Sequence, residues 1–289
     1  MSSPFQPRDW KLAHGKSILL GPQGVIMAII NVTPDSFSDG GVNAKTDTAI
    51  SNALKAAKAG AAIVDVGGES TRPNAAEVTA AEEQARVLPV IEVLAANCGA
   101  IISIDTYRAD TARKAVAAGA HIINDVHGLQ REPDIAKVAA DTGAGLVIMH
   151  TGRGRQKLPD AIEDQFAFLK QSLAVAEAAG VDPQQIVLDP GFGFSKETAE
   201  DNLEIMARFS ELHALGYPLV AGTSRKRFLG TVTGRDPAER GAATAASTAL
   251  LRMAGAAIFR VHDVAFNSDA VKVTDAMLNA AKSGTEGRP

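Results

Sequence analysis

The chain has 289 residues, of which 46% are hydrophobic, and a formal net charge of −4 at pH 7. This charge argues against a general nucleic-acid-binding surface, and no apolar run approaches the roughly 18 residues that span a bilayer. The N-terminus lacks the basic and apolar segments of a secretion signal, and the single cysteine, Cys98, permits no intrachain disulfide. We therefore expect a soluble, cytoplasmic protein with one large hydrophobic core.

Short apolar runs recur eight times, each ending at polar residues and followed by a helix-like stretch. The runs lie at 25–31, 61–70, 100–106, 121–126, 145–150, 185–190, 218–224 and 256–263. Uninterrupted Val, Ile and Leu are typical of parallel strands buried on both faces. Strands alternating with helices in this way predict an α/β fold, a single (β/α)8 TIM barrel that occupies residues 1–289 as one domain. Its core is expected over about 17–282, with a frayed tail at 283–289.

Helices are predicted between the runs from capping residues and alanine-rich faces. Their expected ranges are 46–59, 75–96, 109–118, 132–142, 160–179, 197–215, 237–254 and 268–282. Before the first barrel strand, segments 17–20 and 25–28 flank the turn signal Gly-Pro-Gln-Gly at 21–24. They predict an N-terminal β-hairpin that leads into the first strand from the bottom of the barrel.

Polar residues at the strand ends form the candidate site, because all eight carboxyl ends of such a barrel meet at one mouth. The residues predicted to face it are Asn31, Glu69, Asp105, Asn124, Asp125, Asp189, Lys226 and Arg260. Several carboxylates with few matching cations are costly to leave unpaired. A ligand rich in N–H donors, such as a 2-amino-pyrimidinone ring, would satisfy them.

Positive charge is concentrated after the seventh and eighth strands, where barrels of this kind usually bind phosphate. These loops carry Ser224, Arg225, Lys226, Arg260 and His262. Arg260 and His262 are two residues apart and therefore point to the same side of their strand. On an acidic chain this cluster predicts an anionic substrate.

Oxygen-bearing side chains follow the first strand at Asn31, Thr33, Asp35 and Ser36. Hard oxygen donors beside a phosphate are the usual setting for magnesium, although an Asx-type turn would use the same residues. After the second strand, Arg72 presents a planar fork suited to carboxylate or phosphate, unless it is simply solvated. Among the histidines, His14, His121 and His213 are interpreted as structural, whereas His127 and His150 remain open. No cysteine–histidine spacing indicates zinc.

Seven motifs in register carry a family resemblance: IINVTPDSFSDGG, DVGGESTRP, SIDT, IIND, LDPGFGF, GTSRK and RVHD. Together they resemble the dihydropteroate synthases of folate biosynthesis, and the likeness extends from about Ser17 to Asn279. The resemblance implies a TIM barrel, usually a homodimer, that is a target of sulfonamides, which mimic 4-aminobenzoate. It also implies a reaction that joins 6-hydroxymethyl-7,8-dihydropterin pyrophosphate to 4-aminobenzoate with release of pyrophosphate, assisted by Mg2+.

The resemblance also implies a role for each matching residue. For the pterin, these are Asp105, Asn124, Asp189 and Lys226; for the pyrophosphate, Arg260, His262 and Asn31, the last also holding the metal. For 4-aminobenzoate, they are Thr71, Arg72, Pro73, Phe194 and Ser224. Two alternatives share the pterin-holding barrel: a methyltetrahydrofolate-dependent corrinoid methyltransferase, which should lack the Arg-x-His and TRP motifs, and a non-catalytic pterin-binding protein, which could lose the cations.

The chain departs from the family pattern in a few places. Segment 149–156 reads MHTGRGRQ, where relatives commonly have MHM followed by a glycine and a proline, so the role of this loop is open. Arg108 stands where lysine is usual, and His127 where a small hydroxyl residue is usual. Asn74 and Ser195 occupy positions that are usually glycine. None of these departures removes a residue assigned above.

Overall fold

The chain begins with an antiparallel hairpin. In the computed structural model, which describes residues 3–32, 42–70, 77–196 and 198–286, β1 (Arg8–Lys11) pairs with β2 (Ser17–Leu20). The sequence pattern predicts a hairpin here but places its second strand at 25–28, and that pairing is wrong. The segment Arg-Asp-Trp-Lys has no apolar run to mark it as a strand. The turn at 21–24 instead leads from the hairpin into the barrel.

Eight parallel strands form one sheet within the described ranges, as the sequence predicts. They are β3 (Val25–Asn31), β4 (Ile63–Gly67), β5 (Ile101–Asp105), β6 (Ile122–Asp125), β7 (Gly145–Met149), β8 (Ile186–Asp189), β9 (Val220–Ala221) and β10 (Ile258–Val261). The sheet runs in the order β8-β7-β6-β5-β4-β3-β10-β9. A parallel bridge between Leu188 and Leu219 joins its two ends and completes the TIM barrel.

The hairpin seals the amino-terminal end of the barrel. Trp10, Leu12 and Leu20 pack in one buried cluster with residues near the start of the strands, among them Met27, Ile63, Ile122, Val147, Val187, Val220 and Ile258. Trp10 is 1% exposed, and its Nε1 donates to the carbonyl oxygen of Gln185 at 2.7 Å. A site open to solvent must therefore lie at the carboxyl end.

Helices follow the strands and cover the outside of the barrel. They are α1 (Val42–Lys58), α2 (Ala80–Asn97), α3 (Ala109–Ala117), α4 (Asp134–Thr142), α5 (Ala161–Ala178), α6 (Ala199–Ala207), α7 (Arg227–Thr233), α8 (Gly241–Met253) and α9 (Val264–Glu286). Side-chain caps define three of the starts: Thr79 accepts from Glu82 N, Asp160 from Ile162 N and Glu163 N, and Thr198 from Asp201 N. None of the helices in the described ranges combines the length and apolar character needed to cross a bilayer.

The helix predictions hold in outline but not at every boundary. α1 begins at Val42, before the predicted caps Thr46 and Asp47. α9 runs from Val264 to Glu286 and so continues into the tail expected to be frayed from residue 283. The helix predicted at 197–215 is divided into α6 and a 3-10 helix at Phe209–Leu215. The short α7 has no counterpart in the sequence prediction, because its seven residues carry too little apolar periodicity to detect.

Candidate active site

The strand register brings four sequence motifs to one level of the barrel. Asn31 pairs with Gly67, Gly67 with Asp105, and Asp105 with Asn124, so these residues form one row across β3 to β6. On the next strands, Met149 of β7 pairs with Asp189 of β8. The row explains how side chains up to 93 positions apart in sequence reach the same mouth.

Five residues singled out from the sequence line one cavity at this end: Asn124, Asp189, Phe194, Lys226 and Arg260. Val126, Met149 and Gly222 form part of its wall. The empty volume of the cavity, including the solvent at its opening, is about 290 Å³. The cavity thus combines hydrogen-bond acceptors, cations and an aromatic ring. That combination suits a planar ligand that carries N–H donors at one end and negative charge at the other.

Arg260 connects the floor of the cavity to two aspartates. Its Nε donates to Oδ2 of Asp65 at 2.6 Å and its Nη2 to Oδ2 of Asp105 at 2.5 Å. Asn124 donates to the same Asp65 oxygen at 3.1 Å. Burial raises the pKa of Asp105 to about 7, although the charge of Arg260 acts in the opposite direction. Asp65 is missed by the sequence analysis; its signal is a lone carboxylate inside the apolar run of β4.

Asp189 is buried at the end of β8, and burial raises its pKa, while the charges of Lys226 and Arg260 favour the ionised form. Its Oδ1 accepts a hydrogen bond from Gly191 N at 2.7 Å. Gly191 has a φ of +64°, and a Cβ there would lie 2.1 Å from the carbonyl oxygen of His150. Only glycine therefore allows the tight turn that follows this aspartate.

The ring of Phe194 is contacted by two cations. The Nζ of Lys226 lies 4.2 Å from the ring centroid, and the Cζ of Arg153 lies 4.9 Å from it. The negative face of an aromatic ring favours such contacts. Burial lowers the pKa of Lys226 to about 8, an effect to which the charge of Arg260 contributes. Arg153 belongs to the atypical segment 149–156, so this segment reaches the wall of the cavity.

Ser224 and His262 are joined at the rim. The backbone N–H of His262 donates to Oγ of Ser224 at 3.1 Å, and this hydroxyl lies 3.0 Å from Nδ1 of the His262 ring. With its oxygen already accepting, the hydroxyl can donate to Nδ1, which leaves the proton of a neutral ring on Nε2. His262 is exposed and Ser224 is buried. An anion at the mouth can therefore reach the imidazole directly.

Two carboxylates expected at the mouth are used elsewhere, which corrects the prediction for them. Glu69 Oε2 pairs with Nη1 of Arg108 at 2.6 Å. Asp125 accepts from the backbone N–H groups of His127 and Leu129 at 2.8 and 2.6 Å, and so holds the turn after β6. An acid at a strand end more often caps a loop than meets a ligand, and the sequence alone does not separate the two uses.

Other predictions fall where the structure gives no description. Thr71, Arg72 and Pro73 lie outside the described residues, as do Thr33, Asp35 and Ser36 of the first loop. Their assigned contacts with 4-aminobenzoate and magnesium therefore stay predictions.

The structural interpretation of three histidines is confirmed by hydrogen bonds far from the mouth. His14 pairs with the carbonyl of Val116, His121 with Ile102 N, and His213 with the carbonyl of Ala254. Of the two left open, His127 stacks edge-on against Tyr107. His150 is buried and bonded to Asp164.

The donor set suits a magnesium ion only if phosphate supplies most of its ligands. Within the described ranges, no group of three His, Cys, Asp or Glu side chains could hold a metal. Asn31 is exposed at the end of β3 and offers one amide oxygen. Magnesium often takes only one or two protein ligands beside substrate phosphates and water. Asn31 is therefore compatible with such an ion, and Mg2+ stays a prediction.

Comparison with known proteins identifies the family. Residues 27–262 match the family described as pterin binding enzyme. The dihydropteroate synthase of Bacillus subtilis is 46% identical over 255 residues, which cover 88% of this chain and 89% of that protein. The chain belongs to the dihydropteroate synthase family. The family member from Escherichia coli K12 is 40% identical over 277 residues, covering 94% of this chain and 97% of that protein.

Solved structures of the family agree with this membership. Dihydropteroate synthase from Xanthomonas albilineans with 4-aminobenzoic acid matches with a TM-score of 0.87 at 40% identity, covering 93% of this chain and 98% of the other. The same enzyme in complex with 7,8-dihydropteroate matches with a TM-score of 0.84 at 39% identity and the same coverage. The family resemblance inferred from seven motifs is thereby confirmed.

Proposed function

We propose that this chain is a dihydropteroate synthase. It condenses 6-hydroxymethyl-7,8-dihydropterin pyrophosphate with 4-aminobenzoate to give 7,8-dihydropteroate and pyrophosphate. The observation that carries this conclusion is that Asn124, Asp189, Lys226 and Arg260 line one cavity together. Its acceptors suit the N–H groups of a pterin, and its cations suit a phosphorylated substituent.

The pterin ring would lie against Asn124 and Asp189. Both side chains are almost fully buried and line the cavity, so a ring placed there exchanges water for fixed acceptors at little further ordering cost. Lys226 would donate to the ring carbonyl. Asp105 would act beside them, with its carboxylate already oriented by Arg260 at 2.5 Å.

The pyrophosphate would meet Arg260 from inside the barrel and His262 from the rim. A guanidinium has five N–H donors, and the bonds to Asp65 and Asp105 each take one of them. The exposed His262 ring carries its proton on Nε2 when Nδ1 accepts from Ser224. Asn31 would hold the magnesium ion, which when bound stabilises negative charge on the leaving group.

Charge stabilisation by these side chains accounts for the displacement. As the bond to pyrophosphate lengthens, positive charge grows on the exocyclic methylene and spreads into the pterin. The carboxylates of Asp105 and Asp189 favour that charge, and Arg260 favours the departing anion. The neutral arylamine is already a nucleophile, so no strong base is required: the new C–N bond replaces the C–O bond to pyrophosphate, and the proton that the nitrogen then loses passes to the departing pyrophosphate or to water. This reaction is an SN1-like substitution, with Phe194 and Ser224 beside the incoming 4-aminobenzoate.

We also propose a cytoplasmic homodimer. Large apolar side chains are exposed on α8 and α9: Leu250, Met253, Phe266, Val273 and Met277. Val273 is 71% exposed, and exposed apolar clusters of this kind mark association surfaces. Because α8 and α9 pack against each other, the exposed apolar side chains of both helices would contribute to one association surface. The lone Cys98 agrees with a reducing compartment, which supports the location.

The test is a coupled assay for pyrophosphate. The chain is supplied with the pterin pyrophosphate, with and without 4-aminobenzoate and magnesium, and dihydropteroate is measured in the same samples. We expect pyrophosphate and dihydropteroate in equal amounts, and only when both substrates are present. Pterin binding without either product would indicate a non-catalytic pterin-binding protein instead. Asp182→Asn, a change at the outer surface where Asp182 pairs with Lys11, should react as the unaltered chain does.

A further inference from the structure

Lys196 is a buried lysine two residues after Phe194, the last residue of the loop that begins at Asp189. It is 7% exposed. Its Nζ lies 2.8 Å from the carbonyl oxygen of Gly191, 3.4 Å from that of Phe194 and 2.9 Å from Nδ1 of His150. An ammonium has three N–H donors, and these are three acceptors among the described residues. Burial lowers the pKa of Lys196 to about 7, while the charge of Asp189 favours the ammonium form, so the charged form depends on this compensation.

His150 joins Lys196 to Asp164 and Arg155. Its Nδ1 lies 2.9 Å from Nζ of Lys196, and its Nε2 lies 2.9 Å from Oδ2 of Asp164 and 2.7 Å from Nη2 of Arg155. Burial lowers the pKa of His150 to about 4, and the charge of Lys196 acts in the same direction. The imidazole is therefore neutral at physiological pH and joins the lysine to the aspartate.

Arg155 supports the far end of this chain of bonds. Its Nη1 and Nη2 donate to the two carboxylate oxygens of Asp164 at 2.8 and 2.6 Å, and Leu158 N donates to Oδ1 at 2.8 Å. Arg155 belongs to segment 149–156, where the sequence departs from its family. The departure thus supplies a bidentate partner for a buried aspartate rather than a loop without contacts.

Gly191 connects this network to the cavity. Its N–H donates to Oδ1 of Asp189 at 2.7 Å, while its carbonyl accepts from Lys196 at 2.8 Å. The loop around it also needs support: Ser195, where the family usually has glycine, adopts a φ of +54°. A side chain in this left-handed region is strained. The bond from Lys196 to the Gly191 carbonyl therefore opposes this strain at the turn that carries Asp189.

We propose that Lys196 is a positioning residue of this site. Its ammonium, supported by His150, Asp164 and Arg155, fixes the turn at Gly191 and so orients the Asp189 carboxylate and the Phe194 ring toward the pterin. This inference rests on the proposed function, because it assumes that a pterin occupies the cavity. Lys196 itself does not line the cavity, so it acts through the two residues that do.

The test is calorimetric titration with 6-hydroxymethylpterin, which has no leaving group and cannot react. Lys196→Met keeps the length of the side chain and removes its donors, and we expect about tenfold weaker binding. Lys157→Met is the matched control. Lys157 also donates to a carbonyl of this loop, that of Ser195 at 2.8 Å, but from the exposed side. We expect the Lys157→Met variant to bind the pterin with unchanged affinity.

A double-mutant cycle separates positioning from general loss of stability. If Lys196 acts through Asp189, then Lys196→Met combined with Asp189→Asn should bind the pterin about as weakly as Asp189→Asn alone. Independent effects would instead multiply. Unchanged affinity of the folded Lys196→Met chain, or full multiplication in the double variant, overturns the proposal.

A second variant covers the case in which Lys196→Met does not fold. Arg155 is 25% exposed, so Arg155→Met should fold and should weaken pterin binding by a smaller factor; an unchanged affinity would count against the network. The test of Lys196 and the test of the proposed function can fail independently of each other. An unaltered chain that binds the pterin but releases no pyrophosphate refutes the synthase activity and leaves the role of Lys196 intact.

Discussion

Arg260 and Asp105 form an ion pair in which Nη2 of the arginine lies 2.5 Å from Oδ2 of the aspartate. The family resemblance assigns Asp105 to the pterin ring and Arg260 to the pyrophosphate. On that assignment, the pair would link the sites for the two halves of the first substrate. Removing the arginine should affect both halves, because it takes away the charge that opposes the effect of burial on Asp105.

We expect Arg260→Ala and His262→Ala to differ in what they weaken. His262 is exposed at the rim, so its loss should weaken binding of pyrophosphate and leave 6-hydroxymethylpterin unaffected. Arg260→Ala should weaken both ligands, by roughly ten- to a hundredfold for the loss of a charge-assisted contact. Calorimetry with each ligand gives the comparison. A bare pterin that binds Arg260→Ala as tightly as the unaltered chain would show that the ion pair does not orient Asp105.

Asp189→Asn should reduce pterin affinity by about 1.5–3 kcal/mol, or roughly ten- to a hundredfold. The amide keeps the shape of the carboxylate but can place an N–H opposite an N–H of the ring. Titration with 6-hydroxymethylpterin measures the effect, and Asp182→Asn serves as a control at the surface. Equal affinities in the two variants would remove Asp189 from the pterin site.

Pterin affinity should depend on pH through Asp105. Burial raises the pKa of this carboxyl to about 7, and a ring N–H is accepted best by the ionised form. We therefore expect binding to tighten as the pH rises from about 6 to 8 through that pKa. In Asp105→Asn most of this dependence should disappear, since the amide does not titrate. A pH profile that is the same in both proteins would assign the titration to another group.

Trp10→Ala should destabilise the fold without altering the site. The ring is buried in the floor of the barrel and its Nε1 is bonded to Gln185, so we expect a loss of about 3–5 kcal/mol in the free energy of unfolding. Urea denaturation measures this loss. Leu19→Ala, a change at an exposed position of the same hairpin, should cost far less. The folded fraction of Trp10→Ala should bind the pterin as before.

Val273→Asp should dissociate the proposed dimer. A charge on this exposed apolar side chain of α9 would have to be desolvated in an interface. Light scattering at several protein concentrations would then show a monomer, whereas Leu19→Asp on the hairpin should leave the mass unchanged. An unaltered chain that is monomeric throughout would exclude the homodimer.

The barrel and most of the cavity could be predicted from the sequence because uninterrupted apolar runs show where strands end. Asn124, Asp189 and Lys226 each stand at such an end, so the topology alone brings them together. Asp65 could not be placed in this way, since it lies inside a run and its contact with Arg260 spans 195 positions. Nor could the sequence indicate that Glu69 turns toward Arg108, because that choice depends on packing between strands.

The segment 149–156 illustrates a second limit. A departure from a family pattern marks a position but not its consequence, and the partner of Arg155 on α5 becomes evident only when the two are close in space. The same holds for β1, whose single apolar residue, Trp10, provides no periodicity. In both cases a side chain matters because of a distant partner that local composition does not reveal.

The closed floor has a kinetic consequence. Because Trp10, Leu12 and Leu20 block the amino-terminal end, both substrates and both products must pass through the same opening at the other end. If the pterin rests on the strand tips and 4-aminobenzoate lies nearer the opening, we expect the pterin to bind first. We also expect dihydropteroate to leave only after pyrophosphate, if pyrophosphate lies between it and the opening.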